Sequence, residues 1–594
     1  MTARTAARKP AEQQIRPKRG KLGRAARARR LHAAREAVPY AAALAAVTVT
    51  ALILRQPAVF LLGAGTIAGV AAARLHDGFG WHRAGGKAAM RKRRKHQGTA
   101  TRRELRRSLS PAAAARKAGP PVVIGRAKGQ DVAGSSEDSY LVIAPPRSLK
   151  TGLTSCWAID SPGAFLGFSS RCDQYRHTAV PRSRLGEVLV LNADGDGGIP
   201  TDFAWSPVEG CRNPQTAIRR AGDLMAASPR DPGGRDAWHE DRGAKLIRYM
   251  LHAAAVDGAS MHEVAAWVHD PLSAEPMSIL ASRKAWPGWD AKLAALLDGG
   301  RDGGTLAGLS ASASAALGWM DDPFMAAAAC PRPGDGVDLR GFIEDATGSI
   351  YVIGADRPHG SLAPYFAAFG AEAFETAKAV AEDQGGTLQV PFTILADEAA
   401  VICPLPFHQM TAVAGGYRIR VIACVQADSQ LTSRWGEHDA KTMKTNFTVK
   451  VIGGGFTDPG ELEALSVMCG DRDTWDHVRH PDGSRTRQPR QERLFPPERI
   501  RLLPAWRALV LHRNTRPVVA AVTPVWDRRG YDPARPVPAP AAPAGQPAIE
   551  APRREPIAPP YTPPPARDTA PVPVPVPVPR FCEEEPAWHA ATTG

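Results

Sequence analysis

The sequence predicts an α/β chain built on a mostly parallel sheet, with an all-α segment inserted between two of its strands. Two observations carry that prediction. Short apolar runs separated by helical stretches begin at Tyr140, the pattern of a parallel sheet covered by helices on both faces. A long helical region with no strand pattern then separates the third run from the fourth. The runs are Tyr140–Ile143, 164–169, Val188–Asn192, 349–354, 391–396, 418–426 and 447–452. The insertion, residues 213–335, shows its helical pattern from about Asn213 to Met325. It sets Leu246, Ile247, Met250, Leu251 and Ala254 on one helical face, and Ser260 with Glu263 forms a capping box that opens a further helix toward Trp267.

With 594 residues, the chain exceeds what one core usually holds. Its net charge of +16 is unevenly spread, because residues 1–110 hold 25 Lys and Arg against 4 Asp and Glu, leaving 50 basic and 55 acidic residues beyond them. The basic character therefore belongs to the N-terminal segment and not to the body. Within that segment lie 17 uncharged residues at 38–54 and 16 more at 58–73, broken by Arg55, Gln56 and Pro57. Each is at the short end for a membrane-spanning helix. Twelve basic residues from Arg4 to Arg35 and twelve from Arg74 to Arg107 flank the pair, so the positive-inside rule predicts a hairpin at 38–73 with both ends cytoplasmic. The run from Arg91 to Lys95 suits anionic headgroups or nucleic acid, and the sequence does not choose between them.

The remaining boundaries follow from composition. Residues 1–37 form a basic cytoplasmic N-terminus and 74–119 a basic juxtamembrane linker. Residues 120–212 with 336–528 form the α/β body. From 529 to 594 runs a Pro-rich tail, with 18 of the 54 prolines between Pro533 and Pro579, which reads as disordered or polyproline II. It serves as a spacer or, through its acidic-aromatic end from Phe581 to Trp588, as a docking peptide. The eight cysteines are scattered without any CxxC pair, which predicts reduced buried thiols in a cytoplasmic body and no structural zinc.

The first strand runs directly into Ala144-Pro145-Pro146-Arg147-Ser148-Leu149-Lys150-Thr151. That segment has the length and ending of a Walker A loop, in which backbone N–H groups and a helix N-terminus cradle phosphates, the Lys bridges the terminal phosphates and the hydroxyl holds magnesium. Ala144 and Leu149 stand where the motif has glycine, and a glycine lost before the lysine is expected to loosen nucleotide binding. The strand at 391–396 ends in Asp397-Glu398, as ATP hydrolysis requires: Asp397 orients magnesium and its water, and Glu398 polarises the attacking water.

These motifs, in this order, resemble the TraG/TraD-type coupling ATPases of conjugation and type IV secretion, over the stretch from Tyr140 to about Trp526. The proline-bearing Walker A loop is followed by Phe168-Ser-Ser-Arg171-Cys-Asp173-Gln-Tyr-Arg-His-Thr178-Ala, with Arg171 where a Lys is common. Next come Trp205-Ser-Pro207 with Gly210-Cys211, similar to the family's W-x-P opening of the all-α domain, and then the LADEAA segment of Walker B. Gln426-Ala-Asp-Ser-Gln430 resembles the strand-end Q-S-x-x-Q motif, and Trp435-Gly436, Asn446 and Gly453-Gly-Gly455 complete the order. The resemblance implies a RecA-like P-loop fold, a membrane-anchored homohexamer at the inner face of the cytoplasmic membrane, ATP and Mg2+ as cofactors, and delivery of relaxase-bound single-stranded DNA to a secretion channel. It also implies that Gln426 senses the γ-phosphate and that Arg418 or Arg420 is an arginine finger in a neighbour's site. Two other readings stand beside it: a double-strand DNA pump of the FtsK type, which lacks the long insertion and carries a C-terminal winged helix, and a docking scaffold whose nucleotide site has decayed.

Overall fold

The structure, a computed structural model, describes residues 98–532 apart from 117–118, 229–236, 299–302, 333, 356, 358–359 and 480–484. The expected hairpin at 38–73, the segment 1–37, residues 74–97 of the linker and the tail after 532 lie outside the described residues. Among the described residues, no helix is long and apolar enough to cross a membrane.

The strands in chain order are β1 (Val122–Ala127), β2 (Gln130–Gly134), β3 (Tyr140–Ile143), β4 (Phe165–Ser169), β5 (Val188–Asn192), β6 (Ser349–Ile353), β7 (Phe392–Ala396), β8 (Ile419–Val425), β9 (Val449–Ile452), β10 (Asp471–Arg479), β11 (Arg485–Arg493), β12 (Arg507–His512) and β13 (Thr515–Ala521). All seven runs read from the sequence are strands, β3 to β9. Eleven strands form one sheet in the order β2-β1-β13-β12-β9-β3-β8-β7-β4-β6-β5, while β10 and β11 pair apart from it. From β9 to β5 every pairing is parallel. The β12, β13, β1 and β2 wing is antiparallel, so the sheet is parallel across the seven strands read from the sequence and antiparallel in the four that were not.

Strands β3, β4, β6, β7 and β8 are buried along their whole length, because helices cover both faces of the sheet. Successive side chains alternate between two cores, as the two-residue period of a strand requires. Leu141, Ile143, Ile394, Ala396, Val421 and Ala423 enter one core, shared with the helix Ala363–Asp383 and the insertion. Tyr140, Val142, Leu395, Ile422 and Cys424 enter the other, with Leu153 and Trp157 of the helix Lys150–Ile159.

The amino ends of β4 and β6 are tied by Arg182, whose buried guanidinium bonds Ser349 Oγ at 2.7 Å and the carbonyls of Ser161, Gly163 and Gly348 at 2.6, 2.7 and 3.1 Å. These bonds satisfy most of its donors, which is what makes a buried charge tolerable.

The antiparallel wing had no strong period-two signal. Its first hairpin turns through Lys128 and Gly129, both with positive φ (51° and 74°), which is the sign pattern of a type I′ turn.

Between β5 and β6 the described residues are largely helical, from Pro214–Ala226 to Pro323–Ala329. In the central helix Ala237–Asp257 the predicted face (Leu246, Ile247, Met250, Leu251, Ala254) is fully buried. The Ser260–Glu263 capping box forms, with the Ser260 N–H donating to Glu263 Oε2 at 2.8 Å. The insertion is seated on the body at Trp205. Its ring is covered by the Arg220 guanidinium at 4.7 Å and packs edge-on to Phe369, while its carbonyl accepts from Tyr365 Oη at 2.8 Å.

Candidate functional site

Because β3, β4, β7 and β8 run parallel and in close register, their carboxyl ends emerge along one edge of the sheet. Open α/β sheets bind ligands at such an edge. Strand β8 lies between β3 and β7, so Gln426 at its end stands between the loop that follows β3 and the Asp397-Glu398 pair that follows β7. A cleft of about 650 Å³ opens there, lined by residues 146–152, 169–171, Asp173, His177, Asp397, Glu398, Trp506 and Trp526.

The loop from Ala144 to Ser148 is held by its ends and by one internal bond. The Ala144 N–H donates to the Val425 carbonyl at 3.1 Å, and Ser148 Oγ donates to the Pro145 carbonyl at 2.6 Å. Its only left-handed residue is Arg147, with φ 57°. Leu149 has φ −123° and ψ −8°, a backbone any L-residue adopts, so no backbone strain arises at that missing glycine. Its side chain is 2% exposed and packs inside the body. Room for it is made across the cleft floor: a Cβ on Gly453 would stand 3.0 Å from Ala144 Cβ and 3.3 Å from Leu149 Cδ2. The glycine missing from the loop is thus offset by a glycine at the end of β9.

Leu149 is the N-cap of the helix Lys150–Ile159 and supplies no side-chain cap, which leaves the first N–H groups of the helix free to meet an anion. Lys150 is 9% exposed and its Nζ has no hydrogen-bond partner. Across the cleft Asp397, 8% exposed, likewise leaves Oδ1 without a partner. Burial pushes the Asp397 carboxyl up to about 6; the Lys150 charge opposes the rise and the Glu398 charge adds to it. Two unpaired buried groups of opposite charge facing one cleft are costly unless a ligand completes them. An anionic group on Lys150 and a cation on Asp397 meet that need, so the residues present fit a nucleotide triphosphate with magnesium. Thr151, at the first turn of the same helix, is part-buried and lines the same cleft.

Glu398 has φ 57°, a sparsely populated backbone region that active-site turns often use. Its Oε1 accepts from Gln426 Nε2 at 3.3 Å. The Gln426 N–H in turn donates to Gln430 Oε1 at 2.7 Å, so the two glutamines of the strand-end motif act on one turn. Arg418 and Arg420 do not reach this cleft. They begin β8 at the opposite, amino-terminal edge of the sheet. Arg420 is 1% exposed and donates to Ser136 Oγ at 2.8 Å, so its guanidinium is not available to another chain. Arg418 donates to the Leu388 carbonyl at 3.2 Å and lines a separate cavity of about 460 Å³ with Glu137, Thr448 and Arg513.

Eight lining residues lay outside the expected site: Gly152, Ser169, Ser170, Arg171, Asp173, His177, Trp506 and Trp526. The two indoles meet edge-on at 5.4 Å and 83°, and the His177 ring lies 5.5 Å from Trp526. His177 lies within the motif quoted after the phosphate loop, whereas no motif marks Trp506 or Trp526.

The thiols fit the expected reduced state. Seven described cysteines are free, and six of them are buried. Burial raises the Cys156, Cys211 and Cys469 thiols to about 11, which makes them unreactive. Among the described residues no group of His, Cys, Asp and Glu is arranged to hold a metal by itself.

Comparison with known proteins gives two findings. Residues 391–505 match a family model described as the TraM recognition site of TraD and TraG. The fold is similar to that of the bacterial conjugative coupling protein TrwBdeltaN70 in its unbound monoclinic form, at 18% identity and a TM-score of 0.51, covering 74% of this chain and 95% of that one. It is similar also to the plasmid coupling protein TrwB in complex with ADP and Mg2+, at 17% identity and a TM-score of 0.50, covering 74% and 96%. Comparison with curated proteins gives no match. The resemblance to TraG/TraD-type coupling proteins read from the sequence is borne out by the family match and by the fold.

Proposed function

We propose that this chain is a membrane-anchored coupling ATPase that delivers relaxase-bound single-stranded DNA to a secretion channel and drives its transfer. The observation that carries the reading is the pair of unpartnered buried groups, Lys150 Nζ and Asp397 Oδ1, at the carboxyl edge of a sheet whose fold matches TrwB. A TrwB structure with ADP and Mg2+ supports the choice of nucleotide and metal. The match of residues 391–505 to a TraM recognition site supports a partner on the relaxosome side.

In this reading Lys150 and the open N-terminus of its helix bind the terminal phosphates, held in a cleft that the buried Leu149 closes from below. Thr151 and Asp397 would hold magnesium, which supplies charge neutralisation on the phosphates. Glu398 takes the proton of the attacking water, and Gln426 fixes the Glu398 carboxylate while standing where a terminal phosphate is read. Arg418, on the far edge of the sheet, acts only across a contact between copies, as in a hexameric ring. The anchor is the hairpin at 38–73, with both termini cytoplasmic.

The test is nucleotide binding and phosphate release by the full chain, with and without single-stranded DNA at rising salt. Magnesium-dependent hydrolysis stimulated by DNA is expected, with salt-sensitive, sequence-tolerant DNA binding. Failure of wild type to bind nucleotide better than Lys150→Ala would replace the enzyme by the docking scaffold. A fusion reporter at Gly98 is expected to read cytoplasmic, and an external signal there defeats the hairpin anchor.

A further inference from the structure

We infer that Trp526 and Trp506, with His177, form the wall on which the nucleobase of the bound nucleotide stacks, an inference that rests on the nucleotide reading above. The wall stands at the correct end of the cleft. A Cβ on Gly152, two residues beyond Lys150, would come within 2.9 Å of Trp506 Cη2 and Cζ3 and of Pro524 Cβ, so the indole lies directly over the first turn of the phosphate-binding helix. A nucleotide whose phosphates sit at Lys150 extends its base past that turn. The cleft there is lined by the two indoles and the imidazole.

The wall is built and held. Trp506 has φ 58°, an outlier for so bulky a residue. The turn that imposes it is fixed by the Val522 N–H donating to the Trp506 carbonyl at 2.9 Å. Trp526 remains 46% exposed although it packs edge-on against Trp506. A large apolar ring left open on the inner side of a polar cleft is a surface awaiting a flat partner.

The segment that carries Trp526 is tied to the end of the same helix and to the next one, Asp173–Ser183. Arg528 Nη2 pairs with Asp160 Oδ1 at 2.8 Å, and Tyr531 Oη lies 2.9 Å from His177 Nδ1 and donates to the His177 carbonyl at 3.1 Å. These contacts place the rings before any ligand arrives, which lowers the ordering cost of binding.

The experiment compares MgATP with magnesium tripolyphosphate, which has the phosphates and no base, on the full chain and on Trp526→Ala and Trp526→Phe. Binding is read by calorimetry and by quenching of indole emission. MgATP affinity is expected to fall roughly tenfold in Trp526→Ala and to be largely kept in Trp526→Phe, as for stacking on any aromatic ring, while tripolyphosphate affinity is unchanged in both. The inference is overturned if Trp526→Ala binds MgATP as wild type does, or if it loses both ligands equally. Wild type that binds tripolyphosphate as tightly as MgATP also overturns it and leaves the phosphate site intact, whereas wild type that binds neither defeats the nucleotide reading itself.

Discussion

Gln426 Nε2 donates to Glu398 Oε1 at 3.3 Å, joining the ends of two neighbouring parallel strands at the mouth of the cleft. The bond orients the carboxylate from the one strand that lies between the phosphate loop and the acidic pair. Glu398→Gln should keep nucleotide binding and lower phosphate release by about 10²–10⁴-fold, the range for removal of a general base. Gln426→Ala should lower turnover less and also leave binding nearly intact. Parallel calorimetry and phosphate-release assays decide it; loss of binding in Glu398→Gln would show a structural role instead.

Lys150 and Asp397 are expected to be coupled through the ligand. Lys150→Ala should abolish measurable nucleotide binding, because its ammonium is the buried, unpartnered cation proposed to meet the phosphates. It should also drive the Asp397 carboxyl further above about 6, since the charge that opposes the burial is gone. Titration of the isotope-labelled carboxyl by infrared difference spectroscopy measures the second effect without any ligand.

The packing around the phosphate loop predicts that restoring the usual glycine does harm. Leu149→Gly removes a side chain that is 2% exposed and leaves a void beside Gly453, at a cost of about 3 kcal/mol. Its backbone φ of −123° gains nothing from glycine. A lower midpoint in thermal or urea unfolding, with no tightening of nucleotide binding, is the expected result. Tighter binding in Leu149→Gly would show that the branched side chain obstructs the phosphates.

At the opposite edge of the sheet Asp138, 2% exposed, gives an acid-dependent stability term. Burial alone would raise its carboxyl, but the His512 ring 3.6 Å away, the Ser135 N–H and Oγ that each donate to Oδ2 at 2.9 Å, and Arg513, 2.9 Å away, outweigh burial and hold it well below the usual carboxylate range. The unfolded chain therefore takes up the proton more readily than the folded one. The stabilisation is complete above the unfolded value of about 4 and is lost progressively as pH falls below it. Asp138→Asn should cost about 2 kcal/mol near pH 7. The gap between variant and wild type should begin to narrow as unfolding is measured below about pH 4 and continue to narrow as the pH is lowered further.

Much of this protein was legible in its sequence, and the reason is local. Strands buried on both faces must be continuous apolar runs, so β3 to β9 could be read without knowing their neighbours. Lys150-Thr151 and Asp397-Glu398 could be read because each sits at the end of such a run, where parallel strands bring chemistry to one edge. The Ser260 capping box was legible for the same reason, being closed within a few residues.

What the sequence left undecided depends on contacts between distant segments. The pairing of β1 with β13 joins Arg126 to Ala521, about 395 residues apart, and no period in either strand announces it. The pairing of β12 with β9 and β13 carries Trp506 and Trp526 over a helix that begins at Lys150. Arg418 and Arg420 are two residues apart and look equivalent in sequence. The sheet buries Arg420 against Ser136 and leaves Arg418 at a cavity, because an edge position and an interior position differ only once the neighbouring strands are in place. The fate of the substituted glycines was likewise tertiary. Leu149 is accommodated because Gly453, just after a strand some 300 residues later, has no side chain to meet it.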